Sequence, residues 1–144
     1  MKQFAACLFV AALTVQAKPL QVKDLPTAVQ KTVEEQAKGA EIKNITKEKE
    51  KGVVQYEVET IVSGKHRDFN VDAKGALIVV EEEVAIDSIP AAARAAILTK
   101  VGQGKLGMVE SVLQGGATSY EAAYTESGGK KHSVIVKADG TVSK

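Results

Sequence analysis

Two hydrophobic periods organise the chain. The apolar positions Leu25, Val29, Val33 and Ala37 recur four apart, as on one face of an amphipathic helix. A second stripe of the same kind is made by Ile89, Ala93, Ile97 and Val101. Asp24 and Ser88 stand where an N-cap oxygen takes an orphan backbone N–H. Pro26 and Pro90 fall in the first turn, where a missing N–H costs nothing. Gly39 and Gly102 serve as stops. The spacing predicts helices over 25–38 and 89–101.

Elsewhere the period is two. Between Val53 and Val62, Val54, Tyr56, Val58 and Val62 point one way, and Gln55, Glu57 and Glu59 the other. That is a half-buried strand with one wet face. Tyr120, Ala122 and Tyr124 oppose Ser119, Glu121 and Thr125 in the same manner. Shorter strands are predicted over 42–47 and 106–113, each followed by a glycine turn at Gly52 or Gly115-Gly116. Ser63-Gly64-Lys65 and Ser127-Gly128-Gly129-Lys130 read as hairpin turns. They lead into strands with Phe69 and Val71, then Val134 and Val136, inward. A fourth strand is predicted over 76–84, with a shortened counterpart over 141–144.

The two halves lie over each other. Laying Asp24-Leu25-Pro26 on Ser88-Ile89-Pro90 carries Val33 onto Ile97, Gly52 onto Gly116 and Tyr56-Glu57 onto Tyr120-Glu121. One inserted residue later, Phe69 falls on Val134 and Gly75 on Gly140. Such self-similarity marks one supersecondary unit used twice. The expected fold class is therefore α+β, with two tandem helix-plus-antiparallel-meander repeats over 24–84 and 88–144 and the helices on one face of the sheet or sheets. The linker over 85–87 is too short for a flexible tether, so the two sheets are expected to lie side by side or join edge to edge, with the apolar run Leu77-Ile78-Val79-Val80 as an interior strand at the seam.

Residues 1–17 read as a secretory signal peptide. Lys2 precedes an apolar run, and Val15-Gln16-Ala17 is a small-x-small cleavage pattern. The run is too short to span a bilayer as a helix, so no membrane span is expected after its removal. Cys7 lacks the upstream hydrophobic stretch of a lipoprotein cysteine. It is the chain's one cysteine and leaves with the leader, so neither disulfide nor thiol chemistry is expected. The expected location is periplasmic or secreted. The remaining residues, about 127, suffice to bury roughly two-thirds of the unfolded surface.

Charge narrows the function classes. The whole chain holds 19 Lys and Arg against 18 Asp and Glu, and losing Lys2 brings the two into balance. A nucleic-acid partner wants a basic face, and none is present. The run Lys47-Glu48-Lys49-Glu50-Lys51 alternates in sign and reads as a solvated turn.

Several residues carry a family resemblance. Leu25-Pro26-x-Ala28-Val29, Gly52-x-x-x-Tyr56-Glu57-Val58, Gly64-Lys65 and Val71-Asp72-x-x-Gly75-x-Leu77 resemble the PepSY family. Ile89-Pro90-x-Ala92, Tyr120-Glu121, Gly128-Gly129-Lys130 and Ala138-Asp139-Gly140 continue the resemblance through the second half. The tandem arrangement is similar to the PepSY-like group whose fold is compared with beta-lactamase inhibitory protein. The resemblance implies a secreted, non-catalytic protein that restrains a peptidase or binds another extracytoplasmic protein. No protease domain follows in this chain, so it implies inhibition in trans.

No catalytic constellation emerges. No serine sits in a nucleophile-elbow pattern. Gly102-x-Gly104-x-x-Gly107 follows a helix instead of opening one, which is the wrong geometry for a dinucleotide. No enzyme activity, cofactor or metal is therefore expected. His66, Asp68 and Asn70 share a strand face but read as solvated polar residues. Glu81-Glu82-Glu83 reads as solubilising charge and edge protection. Tyr56 and Tyr120 read as core aromatics.

The expected working surface is the sheet face away from the helices. Its candidate binding residues are Glu57, Glu59, His66 and Asp68 in the first half, then Ser119, Glu121, Lys131 and Ser133 in the second. Gln55 and Asn70, and Ala123 and Ile135, share these faces by alternation. The competing reading is a periplasmic small-ligand or cation-binding sensor, which wants a pocket with convergent polar groups.

Overall fold

The computed structural model describes residues 19–50 and 52–143, so the expected signal peptide lies outside the described residues. Two α-helices and seven strands are seen among them. The first helix, α1, is Thr27–Gln36. It is followed by β1 (Glu41–Glu50), β2 (Val53–Val62), β3 (Lys65–Asp72) and β4 (Leu77–Glu83). Helix α2, Ala91–Val101, precedes β5 (Lys105–Gln114), β6 (Ala117–Thr125) and β7 (Lys131–Lys137).

The strands form one seven-stranded sheet in the order β1-β2-β3-β4-β5-β6-β7. This corrects the expectation of two tandem helix-plus-meander repeats. Period-two patterning tells which face a side chain takes. It carries no information about which strand edges exchange backbone hydrogen bonds, and those edges decide how many sheets there are. Glu81-Glu82-Glu83 accordingly does not protect an edge, because β4 is an interior strand of that order.

The described residues divide into two compact units, one containing 83–112 with 117–143, the other the described residues up to Glu82 with Leu113–Gly116. In the unit holding α1, the stripe Leu25, Val29, Val33 and Ala37 packs with Ile45, Tyr56, Val58, Phe69, Val71 and Val80. In the unit holding α2, Ile89, Ala93, Ile97 and Val101 pack with Val109, Ala122, Tyr124, Val134 and Val136. Tyr56 is buried in the first core, and Tyr120 is partly buried against the second.

The helix starts differ from expectation. Pro26 and Pro90 occupy the N-cap positions, and neither helix has a side-chain cap. Asp24 closes a 3-10 turn over Val22–Asp24, where Oδ2 accepts from Gln21 N at 3.0 Å. Ser88 Oγ donates to the Ala85 carbonyl at 2.7 Å within the turn Ile86–Ser88. The residue before a proline avoids the helical region, so each cap falls two residues later than Asp24 or Ser88. β1 also runs on to Glu50, which places Lys47 to Glu50 in a strand and not in a solvated turn.

Candidate functional site

In the α1 unit, three cross-strand rows build the face that points away from the helix. The first row is Thr46 on β1, Glu57 on β2, Asn70 on β3 and Val79 on β4. Glu48, Gln55 and Asp72 form the row on one side. On the other, Asn44 pairs with Glu59, and Asp68 pairs with Glu81. Residues directly opposite in such pairs bring their Cβ atoms to about 5 Å, so these side chains share one surface. Alternation sends Ile45, Tyr56, Val58, Phe69 and Val71 to the helix side, which fixes the polar set on the other.

These polar groups are only partly hydrated. Thr46 Oγ1 donates to Glu57 Oε2 at 3.3 Å, and Asn44 Nδ2 donates to Glu59 Oε1 at 3.2 Å. Burial, reinforced by the nearby Glu48 and Glu59 carboxylates, pushes the Glu57 carboxyl up to about 7. Burial also raises Asp68, opposed by the Thr60 backbone N–H that donates to its Oδ1 at 2.9 Å and by His66. Gln55, 5% exposed, donates through Nε2 to Glu50 Oε2 at 3.3 Å. Asn70 is 7% exposed.

The α2 unit has a smaller polar face. Glu121 lies opposite Ile135 and Ala123 opposite Ser133 in the β6–β7 ladder. Burial raises the Glu121 carboxyl, while a hydrogen bond with Ser133 opposes the shift. Ser119 faces Lys137 and Lys131 faces Thr125, so this surface mixes both signs of charge. His132 is on the helix side, stacked on Tyr124 with ring centroids 5.4 Å apart and its Nε2 3.1 Å from Glu126 Oε1.

The structure thus groups Glu57, Glu59 and Asp68 within one unit, with exposed His66 beyond them opposite Ile61. It groups Glu121 with Ser133 in the other, with Ser119 and Lys131 further along the ladder. Sequence reasoning missed the β1 contribution of Asn44, Thr46 and Glu48. The signal was present as continued alternation of Asn44, Thr46, Glu48 and Glu50 against Ile45, Lys47 and Lys49. It also missed Arg67, whose Nη1 and Nη2 donate to the Gln36 carbonyl and Oε1 at 3.0 and 2.9 Å. Its Nε meets Glu82 Oε1 at 2.9 Å. Among the described residues, no group of three or more His, Cys, Asp or Glu is placed to hold a metal ion. No described helix is long and apolar enough to cross a membrane.

No family model matches the chain, PepSY included, and the curated proteins yield no match. Solved structures do match in fold. A protein of Bacteroides eggerthii, described as periplasmic, superposes with a TM-score of 0.68 at 15% identity, covering 83% of this chain and 86% of its own. A DUF2874 family protein of Bacteroides ovatus gives 0.65 at 14% identity, with 83% and 85% covered. A BLIP-like protein of Bacteroides fragilis gives 0.59 at 17% identity, with 82% of each chain covered. The chain shares the fold of these proteins.

Proposed function

We propose that this chain is a periplasmic or secreted, non-catalytic binding module that takes a protein partner on the helix-free face of β1–β3. The observation that carries the reading is Glu57. Its carboxyl is held near 7 by burial and by like charges on a sheet face that no helix of its unit covers. A carboxylate kept dehydrated without a countercharge costs free energy, and perturbed groups of this kind concentrate at functional sites. A partner that brings donors or positive charge to this face relieves that cost. The periplasmic description of one structural neighbour and the BLIP-like description of another support the location and the partner class. The PepSY resemblance suggests a peptidase as that partner.

The test is site-directed photocrosslinking in the native cell envelope. A photoreactive residue at position 59 or 66 should capture a discrete protein, and one at position 35, on the exposed side of α1, should not. Equal capture from all three positions would refute the face as the site.

A further inference from the structure

Equivalent strands of the two units differ in what lies beside them. In the α1 unit, β4 runs antiparallel along β3, with Val80 opposite Phe69, Glu81 opposite Asp68 and Glu82 opposite Arg67. Val80 belongs to the core there. In the α2 unit Phe69 corresponds to Val134, so Asp68 corresponds to Ser133 and Arg67 to His132. The turn after β7 repeats the turn after β3: Lys137 N donates to the Thr141 carbonyl at 2.9 Å, as Asp72 N does to the Ala76 carbonyl. The returning chain then bridges Val136 with Val142, and Ser143 N donates to the Ile135 carbonyl at 2.8 Å. β7 is the last strand of the sheet order, and among the described residues no strand continues this pairing along Lys131 to Val134. Ile135 and Lys137 turn these backbone groups outward, so alternation turns those of Lys131 and Ser133 outward as well.

We propose that the edge Lys131–Val134 receives an extended acidic segment of a partner protein by antiparallel strand addition, with an apolar residue opposite Val134 and a carboxylate beside Lys131. This surface lies in the α2 unit and does not rest on the β1–β3 face. Backbone groups of Ser133 and Lys131 supply the hydrogen bonds, and side chains select the sequence. The template is β4, whose Val80 and glutamates take the equivalent places along β3. Charge selects the same sign. Lys130 and Lys131 are exposed, and neither makes an ion pair among the described residues, whereas His132 Nε2 already lies 3.1 Å from Glu126 Oε1. Lysines on a sheet edge deter cationic and uncharged strands and favour an acidic one across the ladder. The β7 strand of a second copy does not fit. Setting Ser133 opposite its own counterpart places that copy's Lys131 opposite Ile135, where Ser143 already sits.

The experiment follows amide hydrogen exchange by NMR in the folded chain from which residues 1–17 have been removed. The probe is a blocked Val-Glu-Glu-Glu-Val peptide, the sequence of residues 80–84. Without peptide, the Lys131 and Ser133 N–H groups should exchange fast and the Val134 N–H, bonded to β6, slowly. Slow exchange at Ser133 in the chain alone would show that the edge is already covered and overturn the proposal. Peptide at about nine times its dissociation constant should slow Lys131 and Ser133 about tenfold, by mass action. The same peptide with its first and third glutamates N-methylated keeps the charge but loses the pairing, and should give no protection. Val-Lys-Lys-Lys-Val keeps the pairing but reverses the charge, and should give none either. Lys131→Glu should weaken the acidic peptide about fivefold, as expected for reversing one surface pair. Glu35→Gln on α1 should leave it unchanged. No protection by the acidic peptide, or equal protection by either control peptide, would overturn the proposal. The control peptides need no variant, so they decide even where Lys131→Glu unfolds.

Discussion

Gly75 approaches helix α1 so closely that a Cβ placed on it would lie 2.6 Å from the carbonyl oxygen of Ala28. Thr32 Oγ1 donates to the Gly75 carbonyl, also at 2.6 Å, so the β3–β4 turn is latched to the helix. Gly140 stands in the same relation to α2, its Cβ position 3.0 Å from the Ala92 carbonyl oxygen. Both glycines have positive φ, 89° and 87°.

Gly75→Ala should therefore lower stability by about 2–4 kcal/mol, through left-handed strain plus overpacking. Gly52 has φ 86° but nothing within 4 Å of its Cβ position. Gly52→Ala should cost only about 1 kcal/mol, from strain alone. Denaturant midpoints of the two variants separate the terms, and equal losses would show that the helix does not crowd Gly75.

Ile97 is fully buried in the α2 core, and its neighbour Leu98 is 49% exposed. Ile97→Ala should cost about 2–4 kcal/mol from lost transfer energy and a cavity. Leu98→Ala should stay within about 0.5 kcal/mol of the parent. Thermal unfolding of both variants checks the face assignment of the helix.

Arg67 ties the C-terminal end of α1 to β3 and β4 through Gln36 and Glu82 and sits over the Phe69 ring, 5.7 Å from its centroid. Arg67→Lys keeps the charge but loses the fork. It should cost about 1–2 kcal/mol. A Gln36→Ala background should absorb part of that loss, which a double-mutant cycle measures.

Glu57 makes the stability depend on pH. Its carboxyl rises from 4.5 to about 7 on folding, with Glu48 on β1 and Glu59 on β2 acting beside burial. The folded state thus binds the proton more tightly than the unfolded one. The stabilisation is complete below the unfolded value and disappears as pH rises through about 7. Asp68 and Glu121, raised in the same direction, add to the trend. The unfolding temperature should therefore fall between mildly acid and mildly alkaline pH. Glu57→Gln should flatten that fall and raise the alkaline value; an unchanged profile would show that Glu57 is not desolvated.

The residues that form the two cores were legible as stripes and alternation, and β2 matched its predicted bounds because Gly52 and Gly64 bracket a clean period of two. The short linker and the apolar run Leu77-Ile78-Val79-Val80 left edge-to-edge joining open, but the choice between one seven-stranded sheet and two adjacent ones was not legible, since edge pairing leaves no mark on face alternation. At the candidate site, Glu57, Glu59 and Asp68 were readable as wet-face residues. Their dehydration was not, because it arises from β1 and from neighbours distant in sequence, as with Thr46 and Glu48 beside Glu57. Arg67 was hidden for the same reason, its partner Gln36 lying on another element.

The most direct test of the partner face is the affinity of the protein captured through position 59, measured by calorimetry against three forms of the chain. The parent is compared with Glu57→Gln/Asp68→Asn on the sheet face and with Glu34→Gln/Glu35→Gln on α1. The sheet-face pair should bind about tenfold or more weakly, since each removes a charge-assisted contact. The helix pair should bind like the parent. Equal affinities for all three forms would contradict the assignment of β1–β3 as the binding surface.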